Sequence, residues 1–477
     1  MQMLDSIRLV NIPSSKSKRS GKMVPEYPII YWFRRDLRLL NNPALSRAAS
    51  RGVVIPVFIL DEESVLNFFP GTASRWWLHH SLKSLSKDLE GKLFCFRGSR
   101  FDILSTLCKE YGVREIYCNR YYESWSLERD SYLKKAFNEA GIQFQSFHDS
   151  LLYEPETLWK GKINDPDQFE DFYGKFIGMI PDLVEPLPKP ENLCFIGDKV
   201  NSLRIEDLHL ISQSNQDLSL YSSWNIGETG VWKTWKDFLA EVLVSPKIRA
   251  QDSIDYASSR LSAHLHRGEI SISNIVHDVR SDLSQARVLR FLRWLCHREF
   301  AAHMMLHLFE PTKESIQDQG NDLNHDFRLK AWQEGKTGYP CVDAAMRELY
   351  QTGFLPYALR QLVSSFLVHN LAVDWRKGRA YFADRLVDAD LASNGYNWIK
   401  IATSPKPESS PRFFHPVEEQ GRMNSSGSYI LRFLPELKNL PLKYLFQPWL
   451  APEQVLLKAG IRLGNDYPQP IVPLPSS

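Results

Sequence analysis

Three polar residues lie close together in the stretch "DADLASNGYNW". Asp388 and Asp390 are two residues apart, and Asn394 follows about one helical turn later. Two acids at this spacing could bind a metal ion, pair with an arginine, or accept hydrogen bonds from a sugar or a ring N–H. The sequence offers Arg360 as one plausible cationic partner. The stretch is a candidate binding site, and these residues alone leave its ligand class open.

A second candidate site is the hydroxyl-rich run that begins at Ser258. Ser258, Ser259 and Ser262 lead into an apolar helical turn, and Arg260 lies among them. Hydroxyls and unpaired N–H groups at the start of a helix bind anions, but serines there also serve as ordinary helix caps. The run therefore indicates either an anion site or a cap.

Two further patterns resemble known sites but lack a required residue. "EGKTGYP" contains Gly-Lys-Thr, yet the first glycine of a P-loop would fall on Lys330, and no strand precedes it. "HMMLH" places His303 and His307 four residues apart, but Met304 stands where a zinc protease needs its glutamate. We expect neither a P-loop nor a metal site.

The elements that must position these residues follow from the spacing of apolar side chains. We predict strands at 27–33, 52–60, 92–98, 114–119 and 142–147, and helices at 41–50, from about Ser74, at 100–111 and at 128–140. Strands alternating with helices predict an α/β domain built on an open parallel, Rossmann-like sheet. No GxGxxG follows the first strand, so we expect no dinucleotide bound in the usual Rossmann manner.

The rest of the chain has a different pattern. Residues 151–225 are rich in Pro, Asn, Asp and Ser and predict a long connector over the surface, and residues 226–477 predict an all-α domain. We therefore divide the chain into a disordered tail (1–27), an α/β domain (28–150), the connector and the helical domain. Within "GFLPYALRQL", Pro356 is expected to begin a helix, because it cannot lie deep inside one.

Composition excludes several classes of protein. The 477 residues suit two domains, and a net charge of +2 does not select a partner. Six cysteines without close pairing indicate a reducing, intracellular setting, and no apolar run is long enough to span a membrane. We expect a soluble, cytoplasmic monomer. The basic stretch "SSKSKRSGK" reads as a disordered tail, with an organellar transit peptide as the alternative.

Several ordered segments resemble the DNA photolyase/cryptochrome family, in particular its class I bacterial members. The matching segments are "YWFRRDLRLLNNPAL", "SSRLSAHLHRGEIS", "HREF", "AWQEGKTGYPCVDAAMRELYQTG", "DWRKGRAYF", "DADLASNGYNW" and "LPEL" with "DYPQPIV". The resemblance implies an α/β antenna domain joined to a helical domain that holds FAD in a U shape. It covers the chain from about residue 28 to 473.

The resemblance also implies which residues bind the cofactor. Ser258 to Ser262 match the phosphate-binding turn, Arg298 matches the arginine of a Trp-Arg-Glu-Phe motif, and Asn394 matches the residue that faces flavin N5. Arg360 is expected to pair with an acid beside the flavin. The complete expected set is Ser258, Ser259, Arg260, Leu261, Ser262, Arg298, Arg360, Asp388, Ala389, Asp390 and Asn394.

The expected substrate pocket departs from pyrimidine-dimer photolyases at five positions. The replacing residues are Trp294 for a glutamate, His297 and Lys400 for tryptophans, Tyr357 for an asparagine and Gln361 for a methionine. The (6-4) photolyases place paired histidines where this chain has Pro356 and Tyr357, so that chemistry lacks its proton donor unless His297 serves. Gln420 completes the expected substrate-facing set.

Electron supply to the flavin is expected to be weakened or rerouted. Trp398 and Trp375 match the inner two members of the family's tryptophan chain, but the outermost position falls on Asp322. The alternative for two matched tryptophans is ordinary core packing.

These features predict light-driven electron transfer from reduced FAD for repair of pyrimidine dimers in DNA. The alternative is a cryptochrome-like photoreceptor that does not repair cyclobutane dimers, and a third reading is a flavoprotein for another lesion or for single strands. DNA is the expected partner, because cationic side chains surround the expected cavity opening; they are Arg287, Arg290, Arg293, Arg298, Lys400, Lys406 and Arg412. An antenna pigment, folate or deazaflavin, stays unassigned, since the folate-holding pair of some relatives falls near Trp125 and Ser126.

Overall fold

A computed structural model describes most of the chain outside the N-terminal tail. The described residues are 27–61, 70–161, 163, 166–197, 199–211, 224–240, 258–308, 323–403, 416–418 and 426–473. No helix in these ranges is long and apolar enough to cross a lipid bilayer.

The N-terminal domain is a parallel sheet of six strands. Its strands are β1 (Ile29–Phe33), β2 (Val53–Leu60), β3 (Phe94–Arg97), β4 (Glu115–Asn119), β5 (Gln143–Phe147) and β6 (Cys194–Phe195). The order across the sheet is β3-β2-β1-β4-β5, and β6 pairs with the start of β2. The five strands predicted from the sequence are confirmed, as is the parallel arrangement.

Helices cover both faces of this sheet. They are α1 (Pro43–Arg51), α2 (Thr72–Asp88), α3 (Arg100–Tyr111) and α4 (Ser124–Glu139). Strand β1 shows why two layers are needed: Ile29 and Tyr31 pack into one apolar cluster and Ile30 and Trp32 into another. Successive side chains of a strand point to opposite faces, so a strand that is apolar throughout must be buried on both sides.

The connector is more ordered than the sequence indicated. It contains α5 (Pro155–Leu158) and α6 (Phe169–Gly178), and short 3-10 turns at Pro166–Gln168, Ile180–Asp182 and Ile205–Leu208. Phe172, Phe176 and Ile180 are fully buried in a cluster of the helical domain. The expectation of a surface connector is therefore corrected for this part, because the helical spacing of its phenylalanines outweighs the surrounding prolines.

The helical domain follows. Its α-helices are α7 (Glu228–Phe238), α8 (Ser262–Arg267), α9 (Ile272–Val279), α10 (Ala286–Leu308), α11 (Leu323–Gln333), α12 (Pro340–Thr352), α13 (Tyr357–Ser365), α14 (Trp375–Arg385), α15 (Leu391–Ala402), α16 (Ser428–Phe433), α17 (Leu442–Leu445) and α18 (Glu453–Ala459). Shorter helical turns lie at Arg280–Asp282, Pro435–Leu437 and Pro448–Leu450, and α13 continues into a π-helical turn at Phe366–Asn370.

The two domains are joined by buried polar contacts. The Glu228 carboxylate accepts hydrogen bonds from the backbone N–H groups of Leu39 and Leu40 at 2.7 and 2.8 Å. Gly268 has a positive φ of 63°, and a Cβ there would overlap the backbone of Arg35. The loop after β1 therefore fits directly against the helical domain.

We expect Glu228→Ala to reduce the free energy of unfolding by about 1.5 kcal/mol, because the N–H groups of buried Leu39 and half-buried Leu40 lose their acceptor. Urea unfolding measures the change. Glu228→Gln keeps one acceptor oxygen and should lose less, and equal losses for both variants would contradict this account.

Candidate functional site

An ion pair stands at the centre of the candidate site. Arg360 donates from Nη2 to both carboxylate oxygens of Asp388 at 3.0 and 2.7 Å, and from Nε to the Leu355 carbonyl at 2.7 Å. The Asp388 side chain is only 2 % exposed. Pro356 precedes α13 and takes extended angles, so the helix begins at Tyr357 and directs Arg360 toward the loop before α15. Arg360 was one plausible cationic partner for the two acids, and the structure pairs it with Asp388.

Asp390 and Asn394 are held at the start of α15. Asp390 is the N-cap of this helix, and its carboxylate accepts from the Ser393 N–H at 2.8 Å. The Asn394 amide donates to the Arg379 carbonyl at 3.2 Å, which fixes its orientation. Burial alone would raise the pKa of Asp390, but His266 and Arg298 hold that pKa below the usual carboxyl range. Asp390 is thus a fixed negative charge at neutral pH.

The hydroxyl-rich run 258–262 forms a tight turn ahead of α8. Arg260 has a positive φ of 53°. The hydroxyls of Ser258 and Ser259 each accept from the backbone N–H two residues further on, at 3.4 Å. The Arg260 guanidinium lies 4.0 Å from the ring centroid of Trp224. The turn therefore gathers hydroxyls and a cation, which is the donor set that a diphosphate needs.

A cavity between the two domains was not anticipated from the sequence. It is lined by Arg35, Tyr121, Glu123, His266, Arg298 and Asp390, among others. Arg35 is paired with Glu123. The position of Arg35 in the sequence could have indicated this cavity. Arg35 directly follows β1, and ligands of open α/β sheets bind beyond the carboxyl ends of strands.

Four substrate-facing residues make an aromatic rim, defined here as Trp294, His297, Tyr357 and Gln361. Trp294 is 47 % exposed, and its ring meets that of Tyr357 edge-on at 4.6 Å between centroids. Gln361 donates from Nε2 to the Tyr357 hydroxyl at 2.7 Å. The rim combines an accessible indole with a phenol whose orientation is fixed by its neighbour.

The environment of His297 does not suit the proton-donor role considered for it from the sequence. Its ring stacks on Phe169 of α6, with centroids 3.8 Å apart and planes 5° apart. Burial, together with the positive charges of Lys400 and Arg293, lowers the pKa of His297 to about 3. An imidazole with that pKa is neutral at pH 7, so His297 supplies a stacking surface and no acidic proton.

The cations expected to surround the opening are in different environments. Arg290 is exposed, whereas Arg293 is engaged with Glu170, with Nη1 3.0 Å from Oε2. Arg298 is turned inward, where it donates to the Ser150 carbonyl at 3.2 Å, which corrects its expected place at the opening. The expected residues Asp322, Lys406, Arg412 and Gln420 lie outside the described residues.

The two matched tryptophans are packed to different degrees. Trp398 of α15 is 1 % exposed inside a large cluster of the helical domain. Trp375, the first residue of α14, is partly buried at the edge of the same cluster. Both lie in the helical domain, as the sequence predicted.

The residues present fit FAD. The turn at 258–262 suits a diphosphate, and the fixed Asp390 carboxylate suits hydroxyl or ring N–H donors. In addition, His266 Nδ1 is buried and lies 3.9 Å from an Asp390 carboxylate oxygen, too far for a hydrogen bond, and His266 lines the interdomain cavity. A buried polar atom facing a cavity is commonly completed by a ligand.

We expect folding stability to fall by about 2 kcal/mol as pH rises from about 4.5 to 7, owing to Glu299. Burial raises the pKa of Glu299 to about 7, against the opposing effects of Arg298 and the Leu152 N–H. The folded protein then keeps a proton that the unfolded chain releases. The free energy of unfolding therefore declines across this window and levels off once the pH exceeds the folded pKa of about 7. Unfolding in urea at several pH values measures the slope, and Glu299→Gln should remove this component. Parallel curves for the two proteins would contradict it.

Comparison with known proteins places the chain in a family. The family model described as DNA photolyase matches residues 29–191, and the model described as FAD binding domain of DNA photolyase matches residues 291–477. A deoxyribodipyrimidine photo-lyase of Agrobacterium fabrum is 35% identical over 93% of this chain and 95% of its own length. Cryptochrome-2 of Arabidopsis thaliana is 33% identical over 93% of this chain and 76% of its own length.

Solved structures agree with this result. A bacterial class III photolyase from Agrobacterium tumefaciens superposes with a TM-score of 0.84 at 34% identity, covering 96% of each chain. A cryptochrome from Synechocystis superposes with a TM-score of 0.80 at 28% identity, covering 95% of this chain and 98% of that one. Membership of class I stays a prediction. The protein belongs to the DNA photolyase/cryptochrome family and is a photolyase-type flavoprotein with an FAD-binding domain.

Proposed function

We propose that this protein is a DNA repair enzyme of the photolyase type, acting on pyrimidine dimers under blue light. When bound in its reduced form, FAD would supply the electron that blue light moves to the dimer. The observation that supports the proposal is the Arg360–Asp388 ion pair, which lies directly before the α15 N-cap Asp390 and is followed by Asn394. The same helix that carries Arg360 begins at Tyr357 of the aromatic rim.

In this proposal different described residues would bind different parts of FAD. Ser258, Ser259 and Ser262, with Arg260 and Leu261, hold the diphosphate. Arg360 with Asp388, Ala389 and Asp390 would line the ribityl chain and the ring system, and Asn394 would face the ring at N5. Arg298 would complete the cofactor-binding set. The domain boundaries 28–150, 151–225 and 226–477, the monomeric state and the intracellular location remain predictions from the sequence.

The aromatic rim is proposed to bind the lesion. A dimer must be flipped out of the duplex, and the cost of unstacking must be offset by stacking and polar contacts in the pocket. Trp294 offers an exposed indole face, His297 a neutral ring and Tyr357 a phenol, while Lys400 adds a positive charge. Exposed Arg290 is placed to attract phosphates.

The alternative function is a blue-light photoreceptor without dimer repair. It is favoured by the replaced pocket residues and by one contact in particular. The His297 ring is already stacked on Phe169, so this face of the ring is not available to a flipped base. The similarity to Arabidopsis cryptochromes over most of the chain is consistent with either function.

A repair assay tests the proposal. The protein is loaded with FAD, reduced chemically, and illuminated with blue light in the presence of a single-stranded or duplex oligonucleotide containing one cyclobutane thymine dimer. Chromatography of the oligonucleotide reports restored thymines. Light-dependent repair of either substrate is expected, and no repair by protein that retains its FAD would favour the photoreceptor.

DNA binding is tested separately by fluorescence anisotropy. Trp294→Ala should weaken binding to the lesion-bearing strand by roughly tenfold, in line with the loss of one stacked base. Tyr132→Ala is the matched control, since Tyr132 is a 62 % exposed aromatic residue on the other domain. Equal effects of the two substitutions would place the lesion elsewhere.

A further inference from the structure

Two consecutive residues at the start of α6 cover part of the aromatic rim. The Phe169 ring stacks on His297, with centroids 3.8 Å apart, and the Glu170 carboxylate accepts from Arg293, with Nη1 3.0 Å from Oε2. Arg293 and His297 are four residues apart in α10, so they share one face of that helix. The first turn of α6 therefore meets this face of α10 with a flat ring and an anion.

A ring and an anion in adjacent positions are also what a nucleotide presents. The Arg293 guanidinium lies 4.9 Å from the Phe169 ring centroid, so both an imidazole and a guanidinium contact this one ring. Unpaired bases stack on imidazole and guanidinium planes, and guanidinium groups also bind phosphate. Phe169 and Glu170 thus occupy the positions that a base and its phosphate would take on His297 and Arg293.

The charge around this contact favours an anionic ligand. Burial is the largest cause of the lowered pKa of His297, the positive charges of Lys400 and Arg293 add to it, and the negative charge of Glu170 opposes it. The hydrogen bond from Arg293 lowers the pKa of Glu170, which is therefore an anion at neutral pH. Arg290 is exposed on the same helix. Without Glu170 this surface of α10 would be cationic.

The first turn of α6 can move without loss of the helix. Phe172 and Phe176 are fully buried further along α6 and hold it against the helical domain. Phe169 is the first residue of the helix, and the Glu170 side chain is 68 % exposed. An exposed ion pair contributes little to folding, and the end of a helix opens more readily than its interior. A base that enters on His297 covers the apolar surface that Phe169 leaves.

We propose that Phe169 and Glu170 form a gate over a nucleotide subsite made by His297 and Arg293, and that an unpaired nucleotide of a DNA strand displaces them. The proposal rests on the proposed action on DNA. The entering phosphate replaces the Glu170 carboxylate on Arg293, and the entering base replaces the Phe169 ring on His297. No covalent bond changes, so the gate closes again when the DNA leaves. The subsite selects an unstacked base with its phosphate over paired duplex DNA.

The anionic half of the gate is tested by fluorescence anisotropy in the dark, with a labelled single-stranded thymidine oligonucleotide of about twelve nucleotides. Glu170→Gln should tighten binding by roughly fivefold, because the competing anion is removed. Arg293→Gln should weaken binding and reduce the slope of its salt dependence by about 0.7. When Arg293→Gln is already present, Glu170→Gln should change the affinity by less than about twofold, since no guanidinium remains to be released.

Glu185→Gln is the matched control for charge. Glu185 is an exposed acid of the connector whose carboxylate accepts from Arg280, in the helical turn after α9. The substitution neutralises the same charge without changing a contact of Arg293 or His297, so the affinity should stay within about twofold. Equal tightening by the two glutamate substitutions would mean that net charge alone acts, and the gate would be overturned.

Phe169→Leu tests the aromatic half. It removes the stacked ring but keeps most of its apolar volume, so we expect roughly fivefold tighter binding from the uncovered face of His297. Phe176→Leu is the matched control, because it loosens α6 at a fully buried position and should lower the melting temperature without changing the affinity. FAD content and melting temperature are measured for every variant. Weaker binding by Phe169→Leu, or equal tightening by Phe176→Leu, contradicts the gate.

Failure of the gate and failure of the proposed function are distinguishable, because these measurements use undamaged DNA in the dark. Light-dependent repair by a protein whose affinity is unchanged by Glu170→Gln and Phe169→Leu would retain the function and remove the gate. Tighter binding by both variants, without repair of a dimer by any of the proteins, would retain the gate and remove the function. No binding of the oligonucleotide by Glu170→Gln would also remove the gate.

Discussion

Arg360→Met is expected to destabilise the helical domain by about 3–5 kcal/mol and to abolish tight FAD binding. The Asp388 carboxylate, with a side chain only 2 % exposed, would lose the guanidinium that contacts both of its oxygens. Methionine replaces most of the apolar volume of the arginine, so the loss reports the missing charge and hydrogen bonds. Urea unfolding gives the stability change, and absorbance after gel filtration gives the retained FAD.

If Arg360 and Asp388 form a buried ion pair, a double substitution should restore stability. In Arg360→Met combined with Asp388→Asn, no uncompensated charge remains, so a large part of the lost stability should return while FAD binding stays impaired. Arg204→Met is the matched control, because the Arg204–Asp207 pair is exposed and should contribute nothing measurable. If the double variant is as unstable as the single one, an unpaired Asp388 is not the cause.

The parallel sheet could be predicted from the sequence because its signals are local. Each strand is a short run of β-branched and aromatic residues, and each intervening helix shows its own apolar spacing, as in α1 and α3. The ordered connector could not be predicted in the same way. Phe172 and Phe176 form a helix because a distant element, α10, supplies the surface on which they are buried.

The candidate site likewise contains some features that the sequence indicated and others that it could not. The Arg360–Asp388 pair followed from the resemblance, which implies that Arg360 pairs with an acid beside the flavin. Spacing alone would not select Arg360, because Arg376, Arg379 and Arg385 lie closer to Asp388 along the chain. The stack of Phe169 on His297 joins residues 128 positions apart, and the Trp398–Trp332 contact joins two helices. Such contacts depend on packing of whole elements, so spacing along the chain carries no signal for them. The lowered pKa of His297 has the same origin, since burial is its main cause.

Gly378→Ala is expected to destabilise the protein by about 2 kcal/mol, even though helix propensity alone predicts the opposite sign. In the interior of a helix alanine is favoured over glycine by about 1 kcal/mol. At Gly378, however, a Cβ would overlap the ring of Trp398 and a methyl group of Leu367. Overpacking of a closed core costs about 1–3 kcal/mol or more, because neither an indole nor a fully buried leucine has space to move.

The same substitution has a functional consequence that separates the two effects. Trp398 is expected from the sequence to supply electrons to the flavin, so displacement of its ring should slow photoreduction together with the loss of stability. Gly174→Ala is the matched control: Gly174 lies within α6, nothing stands within 4 Å of an added Cβ, and only propensity acts. That variant should gain about 1 kcal/mol and keep its photoreduction rate. A stability gain at both glycines would mean that the Trp398 ring has room to shift and that its position is not set by close packing against α14.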